Sequence, residues 1–300
     1  MILELLLQYF LFSHISSLDY VNDVFNIPSI ISVASLVDAQ HLERQNNDLL
    51  SIDITAQAAI AVDALTGDVL YEKNSEDVRT IASITKLMTA MVFLDQHIDP
   101  TRVITLKEVD RHQGGMIHIN IGEGITAKDL LYATLVGSDN DTAYALARIS
   151  SESVEVFINE MNEKAKALGM NNTTFKDPTG LHNGNMSTAQ DLTIMLHAAL
   201  EYPEIRTATT LGMYEFKVDG LKDRQRGVKV YNTDKLVSSN YLEVIGGKTG
   251  YLESAGYCLL TKLKGQNNRE IYVVVLGSET LSDRFQDTKA IEYFTSNAYQ

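Results

Sequence analysis

From Gln57 onward the apolar and polar positions fall into patterns that specify elements. Ala58-Ala59-Ile60-Ala61-Val62-Asp63 is an apolar run, Leu65-Thr66-Gly67-Asp68 is turn-forming, and Val69-Leu70-Tyr71 is apolar again. That order predicts two strands joined by a glycine-containing turn. After a polar passage from Glu72 to Arg79, the positions Ile84, Leu87, Met88 and Met91 recur at helical spacing, which predicts a helix starting at Ser83 and running to about Leu94. Val103 to Leu106 reads as a short strand, and Gly114-Gly115 and Gly122-Glu123-Gly124 punctuate an irregular stretch. Thr126 to Val136 has helical spacing, Gly137-Ser138-Asp139-Asn140 interrupts it, and Thr142 to Ile149 resumes it, so Ser138 falls on a loop between helices. Phe157 to Leu168 is a further helix closed by Gly169, and Ser187 to Leu200 another, with Ser187 as its N-cap.

After Pro203 the pattern turns to strands at Met213–Val218, Val228–Tyr231, Ser254–Leu263 and Glu270–Leu276, and Ser282 to Asn297 closes as a helix. The strand segments are neighbours with short Gly or Asn turns, which favours antiparallel pairing. Strands near both ends with helices between them predict an α+β fold: an antiparallel sheet flanked by helices, plus a helical lobe. There is no internal repeat.

Residues 1–50 differ from the rest. Met1 to Phe12 and Ile27 to Val37 are apolar, and the first basic residue is Arg44. A secretory signal opens with a basic segment, and here Glu4 stands in its place. Neither run reaches the roughly 18–20 residues that span a bilayer. A targeting segment, an interfacial anchor and a misassigned start all stay open.

Composition narrows the function classes. A chain of 300 residues, 45% of them hydrophobic, can bury a large core as one domain or two lobes. The net charge of −14 and the lack of any Lys/Arg cluster argue against a nucleic-acid partner. The single cysteine, Cys258, lies in an apolar run and reads as a small buried hydrophobe. The seven histidines are scattered without an H-E-x-x-H pattern, so neither a metal site nor a cofactor is expected.

The candidate chemistry starts at Ser83-Ile84-Thr85-Lys86. At the start of a helix, Ser83 and Lys86 sit one turn apart, placing an amine beside a hydroxyl. A serine needs an adjacent base to act as a nucleophile near neutral pH, and a lysine becomes one when desolvation or a neighbouring cation lowers its pKa. The helix N-terminus also favours negative charge on the oxygen. Alone, S-x-x-K is as readily a capping serine followed by a surface lysine. Lys248-Thr249-Gly250 offers a cation, a hydroxyl and a backbone that a substrate can approach, which together suit a carboxylate; alone, it reads as a solvated strand-edge lysine. The two motifs gain meaning from Ser138-Asp139-Asn140 between them, because S-x-x-K, S-D-N and K-T-G in this order form the signature of class A β-lactamases and penicillin-binding proteins.

From about Ala58 to Ala298 the sequence resembles the D-alanyl-D-alanine carboxypeptidase family, the low-molecular-mass penicillin-binding proteins of the serine β-lactamase-like superfamily. Beyond the three motifs, the resemblance rests on Leu168–Thr173, Asp177-Pro178-Thr179-Gly180-Leu181, Ser187-Thr188-Ala189 and Tyr231-Asn232-Thr233. It implies that Ser83 is the acylated nucleophile and Lys86 its proton acceptor, with Ser138 relaying a proton to the leaving amine and Asn140 holding Lys86 and the substrate amide. Lys248 and Thr249 would bind the terminal carboxylate beside Gly250, and the backbone N–H groups of Ser83 and Tyr251 would form the oxyanion hole.

The substrate so implied is the peptidoglycan stem peptide ending in D-Ala-D-Ala, with β-lactams as covalent inhibitors and an extracytoplasmic place of action. The expected domains are residues 1–50 as an atypical targeting or anchoring segment, with membrane association through it left open, and residues 51–300 as the D,D-peptidase catalytic domain. Two departures stand out. Asp139 replaces the glycine more usual in the family, as in β-lactamases and related endopeptidases, and the sequence stops where many members continue into a β-rich domain with a membrane anchor. A D,D-endopeptidase cutting cross-links is the nearest alternative reading. A class A β-lactamase is disfavoured because no E-x-x-L-N pattern lies between Asn140 and Lys248. A non-catalytic wall-binding module would have lost a motif residue, and all are present.

Overall fold

The structure, a computed structural model, describes residues 51–299 except 113, 116, 221–223, 240 and 241. The expectations for residues 1–50 lie outside the described residues. Eleven strands and seven helices are found among the described residues. In chain order they are β1 (Ala58–Asp63), β2 (Val69–Lys73), β3 (Arg79–Thr80), α1 (Lys86–Asp95), β4 (Val103–Thr105), β5 (Gly124–Thr126), α2 (Ala127–Val136), α3 (Asn140–Ser150), α4 (Val154–Ala167), β6 (Met186–Ser187), α5 (Ala189–Leu200), α6 (Pro203–Thr210), β7 (Met213–Asp219), β8 (Gln225–Tyr231), β9 (Glu243–Leu252), β10 (Gly256–Lys264), β11 (Glu270–Ser278) and α7 (Asp283–Ala298).

The main sheet has the order β2-β1-β11-β10-β9, antiparallel throughout. Side chains alternate between its faces with period two. Ala58, Ile60, Cys258, Leu260, Val274 and Leu276 enter one core with α1 and α5, whereas Ala59, Ala61, Leu259, Leu263, Val273 and Val275 enter a second core with Phe285 and Ile291 of α7. Both faces are covered, so β11 must be apolar at every position from Ile271 to Leu276. The expected antiparallel sheet flanked by helices, with a helical lobe, is what forms.

Several expectations need correction. The strands β7 and β8 do not join the main sheet. They pair with each other in a second sheet ordered β4-β5-β7-β8, which packs Phe216, Val218, Val228 and Val230 against the helical lobe. Their alternating exposure suits a sheet with one buried face, unlike the continuous apolar runs of β10 and β11. Pro203 opens a helix, α6, before any strand, because proline at the first helical position forgoes a donor that would be unpaired anyway. Lys248-Thr249-Gly250 lies within its own strand, β9, and Ser254 sits in the turn that follows. Gly246 and Gly247 hide this strand from an apolar pattern: a Cβ at Gly246 would lie 2.4 Å from Leu200 Cδ2, and one at Gly247 2.5 Å from the Leu260 carbonyl. The N-cap of α5 is Thr188, which accepts from Asp191 N–H at 3.0 Å, and not Ser187, whose hydroxyl pairs with that of Thr173. Finally, α3 starts at Asn140, capped by Asp139, two residues before the expected Thr142. No helix among the described residues is long and apolar enough to cross a membrane.

Candidate active site

Ser83 sits in a turn of 3-10 helix, Ala82–Thr85, that leads directly into α1. The turn is held in an unfavourable backbone geometry, since Ala82 has φ +48°. Gly180, itself at φ +89°, presses on it from behind: a Cβ there would lie 2.2 Å from the Ala82 carbonyl oxygen. The four apolar residues Ile84, Leu87, Met88 and Met91 are fully buried and anchor the helix.

Lys86, the first residue of α1, is 0% exposed. Its Nζ donates to Ser83 Oγ at 2.9 Å, to Asn140 Oδ1 at 2.8 Å and to the Thr179 carbonyl at 2.5 Å. Burial pushes its pKa down to about 8, against the opposing pull of the Asp177 and Asp139 carboxylates. Of the two causes open at the sequence level, desolvation is therefore the one at work. Repulsion between the two ammonium groups tells on Lys248, whose pKa is lowered well below the ordinary range by burial first, then by Lys86 and Arg284.

The second wall is the turn between α2 and α3. Ser138 adopts φ +57°, Asp139 caps α3 and Asn140 begins it, reaching Lys86 through Oδ1 and donating through Nδ2 to the Gly114 carbonyl at 2.8 Å. Asp139 caps α3 by accepting from Thr142 N–H at 3.1 Å and meets His118 Nδ1 at 2.8 Å.

The third wall is β9, an edge strand. Lys248 is buried, and its Nζ donates to the Thr249 carbonyl at 3.1 Å. The Thr249 hydroxyl is 2.5 Å from that of Thr233. A Cβ at Gly250 would lie 2.8 Å from the Ile81 carbonyl oxygen and 3.3 Å from the Ser83 backbone nitrogen, so glycine is what lets this strand run past the Ser83 turn without shifting its backbone. Tyr251 is 51% exposed and stacks on Tyr257 with ring centroids 4.3 Å apart. From α7, Arg284 Nη1 donates to the Gly250 carbonyl at 3.1 Å.

Thus Ser83, Lys86 and Asn140 are joined by hydrogen bonds, Ser138 lies two residues from Asn140, and Lys248 through Tyr251 pass the Ser83 turn on the edge strand. An amine with a near-neutral pKa beside a hydroxyl can accept its proton, and an edge strand beside buried cations can take an extended chain ending in a carboxylate. A model of the D-alanyl-D-alanine carboxypeptidase family matches residues 42–280. The chain belongs to this family.

It is accordingly a serine peptidase, and its relatives divide between two bond preferences. D-alanyl-D-alanine carboxypeptidase DacF of Bacillus subtilis is 36% identical over 247 residues, covering 79% of this chain and 61% of that enzyme. A D-alanyl-D-alanine endopeptidase of Pseudomonas aeruginosa is 34% identical over 259 residues, covering 86% of this chain and 82% of the endopeptidase. Among solved structures, the Streptomyces K15 DD-transpeptidase superposes with a TM-score of 0.78 at 30% identity over 82% of this chain and 99% of its own. Penicillin-binding protein D2 from Listeria monocytogenes in its cefotaxime-bound form has a TM-score of 0.69 at 28% identity, over the same 82% of this chain and 99% of its own.

The family pattern pointed to the segment Asp177–Leu181 without assigning it a task, and the structure supplies one. Asp177 accepts from Gly180 N–H at 3.1 Å and from Asn185 Nδ2 at 2.6 Å, and this fold of the loop delivers the Thr179 carbonyl to Lys86. Thr233 belonged to the quoted Tyr231-Asn232-Thr233 segment without a task of its own, whereas Arg284, Asp234 and His118 were not singled out from the sequence. Arg284 lies 36 positions after Lys248 and in no motif, so no spacing signal could reveal it. Burial raises the Asp234 carboxyl to about 6, with Arg284 and Lys248 pulling it back down. Cys258 is buried with its thiol pushed up to about 11, the opposite of a reactive nucleophile. No group of three or more potential metal ligands occurs among the described residues.

Proposed function

We propose that this peptidase removes the terminal D-alanine from peptidoglycan stem peptides through an acyl-Ser83 intermediate. The observation that carries the reading is the buried Lys86 amine 2.9 Å from Ser83 Oγ, with a pKa near 8. In the proposed reaction the peptide adds to the free edge of β9, its carboxylate facing Lys248 and Thr249. Ser83 Oγ attacks the penultimate D-alanine carbonyl while its proton passes to Lys86. The oxyanion is held by the N–H groups of Ser83 and Tyr251, and the scissile C–N bond breaks as the amine takes a proton through Ser138. Water then hydrolyses the ester and restores Ser83. A β-lactam, a strained amide bearing a carboxylate, would enter the same site and acylate the same oxygen.

Cutting of D-Ala cross-links is the second reading. It is favoured by Asp139 in the middle motif and by the endopeptidase relative, of which the alignment covers 82% against 61% of the carboxypeptidase. The wall substrate places the enzyme outside the cytoplasmic membrane, with residues 51–300 as the catalytic domain and residues 1–50 serving export or anchoring.

Incubation with a stem peptide ending in D-Ala-D-Ala and with a cross-linked dimer, read by product mass, tests the reading. Release of one D-alanine from the peptide is the expected result, and cleavage of the dimer alone would give the endopeptidase. In parallel, penicillin should add once to the intact protein and not at all to Ser83→Ala. An adduct on the variant would refute Ser83 as the nucleophile.

A further inference from the structure

Three consecutive residues at the start of α3 are each tied to one strap of chain, through its described residues Arg111, His112, Gly114 and His118. Asp139 Oδ2 meets His118 Nδ1 at 2.8 Å, Asn140 Nδ2 donates to the Gly114 carbonyl at 2.8 Å, and Asp141 Oδ1 accepts from His112 N–H at 2.8 Å while its other oxygen pairs with Arg111. The strap is pinned again on its far side. Arg226 of β8 donates to the His118 carbonyl at 3.0 Å and pairs with Glu123, which accepts from Asn120 N–H at 2.8 Å.

Of the three ties, the histidine–carboxylate one joins two side chains that are both buried. The two side chains are only 8% and 2% exposed, and His118 Nε2 is buried with no hydrogen-bond partner among the described residues. An ionised Asp139 can only accept, so Nδ1 carries the proton and donates it. The partnerless nitrogen is a desolvated polar group that a plain apolar side chain would not leave there. Asp139 is the one position of the three motifs that departs from the family's usual glycine, and its second oxygen serves His118 while the first caps α3.

The geometry points to His118 as a positioning residue that, through Asp139, holds the Ser138–Asn140 turn against Lys86. This rests on the reading of that turn as one wall of the acylating site. Ser138 is held at φ +57°, a conformation that costs a non-glycine residue free energy, and Asn140 must meet Lys86 and Gly114 at once. Asp139 lies between them in the chain and takes no conformational help from glycine. The bond to His118 over-determines where the turn sits. A small displacement of groups that act on the transferring proton costs roughly tenfold to a hundredfold in rate, whereas carboxylate recognition on β9 is untouched by it.

The test is the rate of Ser83 acylation by penicillin as a function of penicillin concentration, read by intact mass, with thermal melting in parallel. His118→Ala should lower the saturating acylation rate by about tenfold or more while leaving the half-saturating concentration within about twofold. His118→Asn, which can place an amide N–H where Nδ1 stands, should recover most of the rate. Asp139→Gly keeps an acceptable cap residue and should show the same loss, and His118→Ala in that background should add nothing further. A wild-type rate in His118→Ala, or a loss that multiplies with that of Asp139→Gly, would overturn the proposal. If His118→Ala does not fold, Asp139→Gly and His118→Asn decide: equal wild-type rates in both would overturn it. A wild-type protein that forms no adduct would instead refute the acyl-Ser83 reading and this proposal with it.

Discussion

A lysine whose pKa sits near 8 converts burial into reactivity, and the direction of the effect is testable. Lys86 is a base only when neutral. Below about 8 its neutral fraction falls tenfold per pH unit, and above that value it levels off. The acylation rate at limiting penicillin should therefore rise with pH through the neutral range and approach a plateau beyond about 8. A pH profile that is flat between 6 and 9 would show that another group takes the Ser83 proton. Lys248 responds to a different demand. Burial and the nearby Lys86 and Arg284 cations disfavour its charge, with only Asp234 pulling the other way, so in the proposed reaction the substrate carboxylate would add a second favourable charge. Since hydrogen bonds to charged groups contribute about 1.5–3 kcal/mol, Lys248→Ala should raise the concentration needed for half-maximal acylation roughly tenfold to a hundredfold. Comparing peptides with a free and an amidated C-terminus checks the cause, because the variant should lose the preference for the free acid.

At the scale of elements, the site depends on backbones that pass closer than side chains allow. Gly180 is the sharpest case. Its φ of +89° is one that L-residues rarely adopt, and a Cβ there would meet the Ala82 carbonyl oxygen at 2.2 Å and the Ser83 nitrogen at 2.8 Å. Ala82 is already in a left-handed conformation, so the turn has little room to yield. Gly180→Ala should lower stability by more than about 1 kcal/mol from the backbone conformation alone, and it should slow acylation beyond what the unfolded fraction explains, because Ser83 N and Oγ move with the turn. Chemical denaturation with the acylation rate of the folded fraction measures both. A variant that melts earlier yet acylates at the wild-type rate would separate the loop from the site.

For the whole molecule, the distinguishing behaviour is what happens after acylation. The two carboxylates whose charge reaches Lys86 are already engaged: Asp177 accepts from Thr179, Gly180, His182 and Asn185, and Asp139 from Thr142 with His118 on its other oxygen. Neither is free to activate water as the deacylating glutamate of a class A β-lactamase does. A released D-alanine diffuses away and leaves room for water, whereas the leaving group of penicillin stays tethered. Steady D-alanine release and a penicilloyl adduct persisting for minutes or longer are therefore expected. A chase after removal of excess penicillin, followed by mass, decides it, and rapid recovery of free enzyme without D-alanine release would favour a β-lactamase.

The sequence determined what is local: the helix after Ser83, from the spacing of Ile84, Leu87, Met88 and Met91; the loop that presents Ser138; the α+β class, from strand runs around a helical middle; and the three motifs in order. Periodicity and short spacings record such features because the interactions that select them span a few residues. Tertiary structure decided the rest. Which sheet β7 and β8 joined depended on whether one face or both would be covered, and β9 was concealed by Gly246 and Gly247, whose reason is the approach of Leu200 and the Leu260 backbone. The pKa of Lys86, the arrival of the Thr179 carbonyl and of Arg284, and the tie between His118 and Asp139 arise from residues 21 to 93 positions apart. Desolvation and hydrogen bonding at such separations depend on what the folded chain brings into contact, and no short stretch of sequence carries that information.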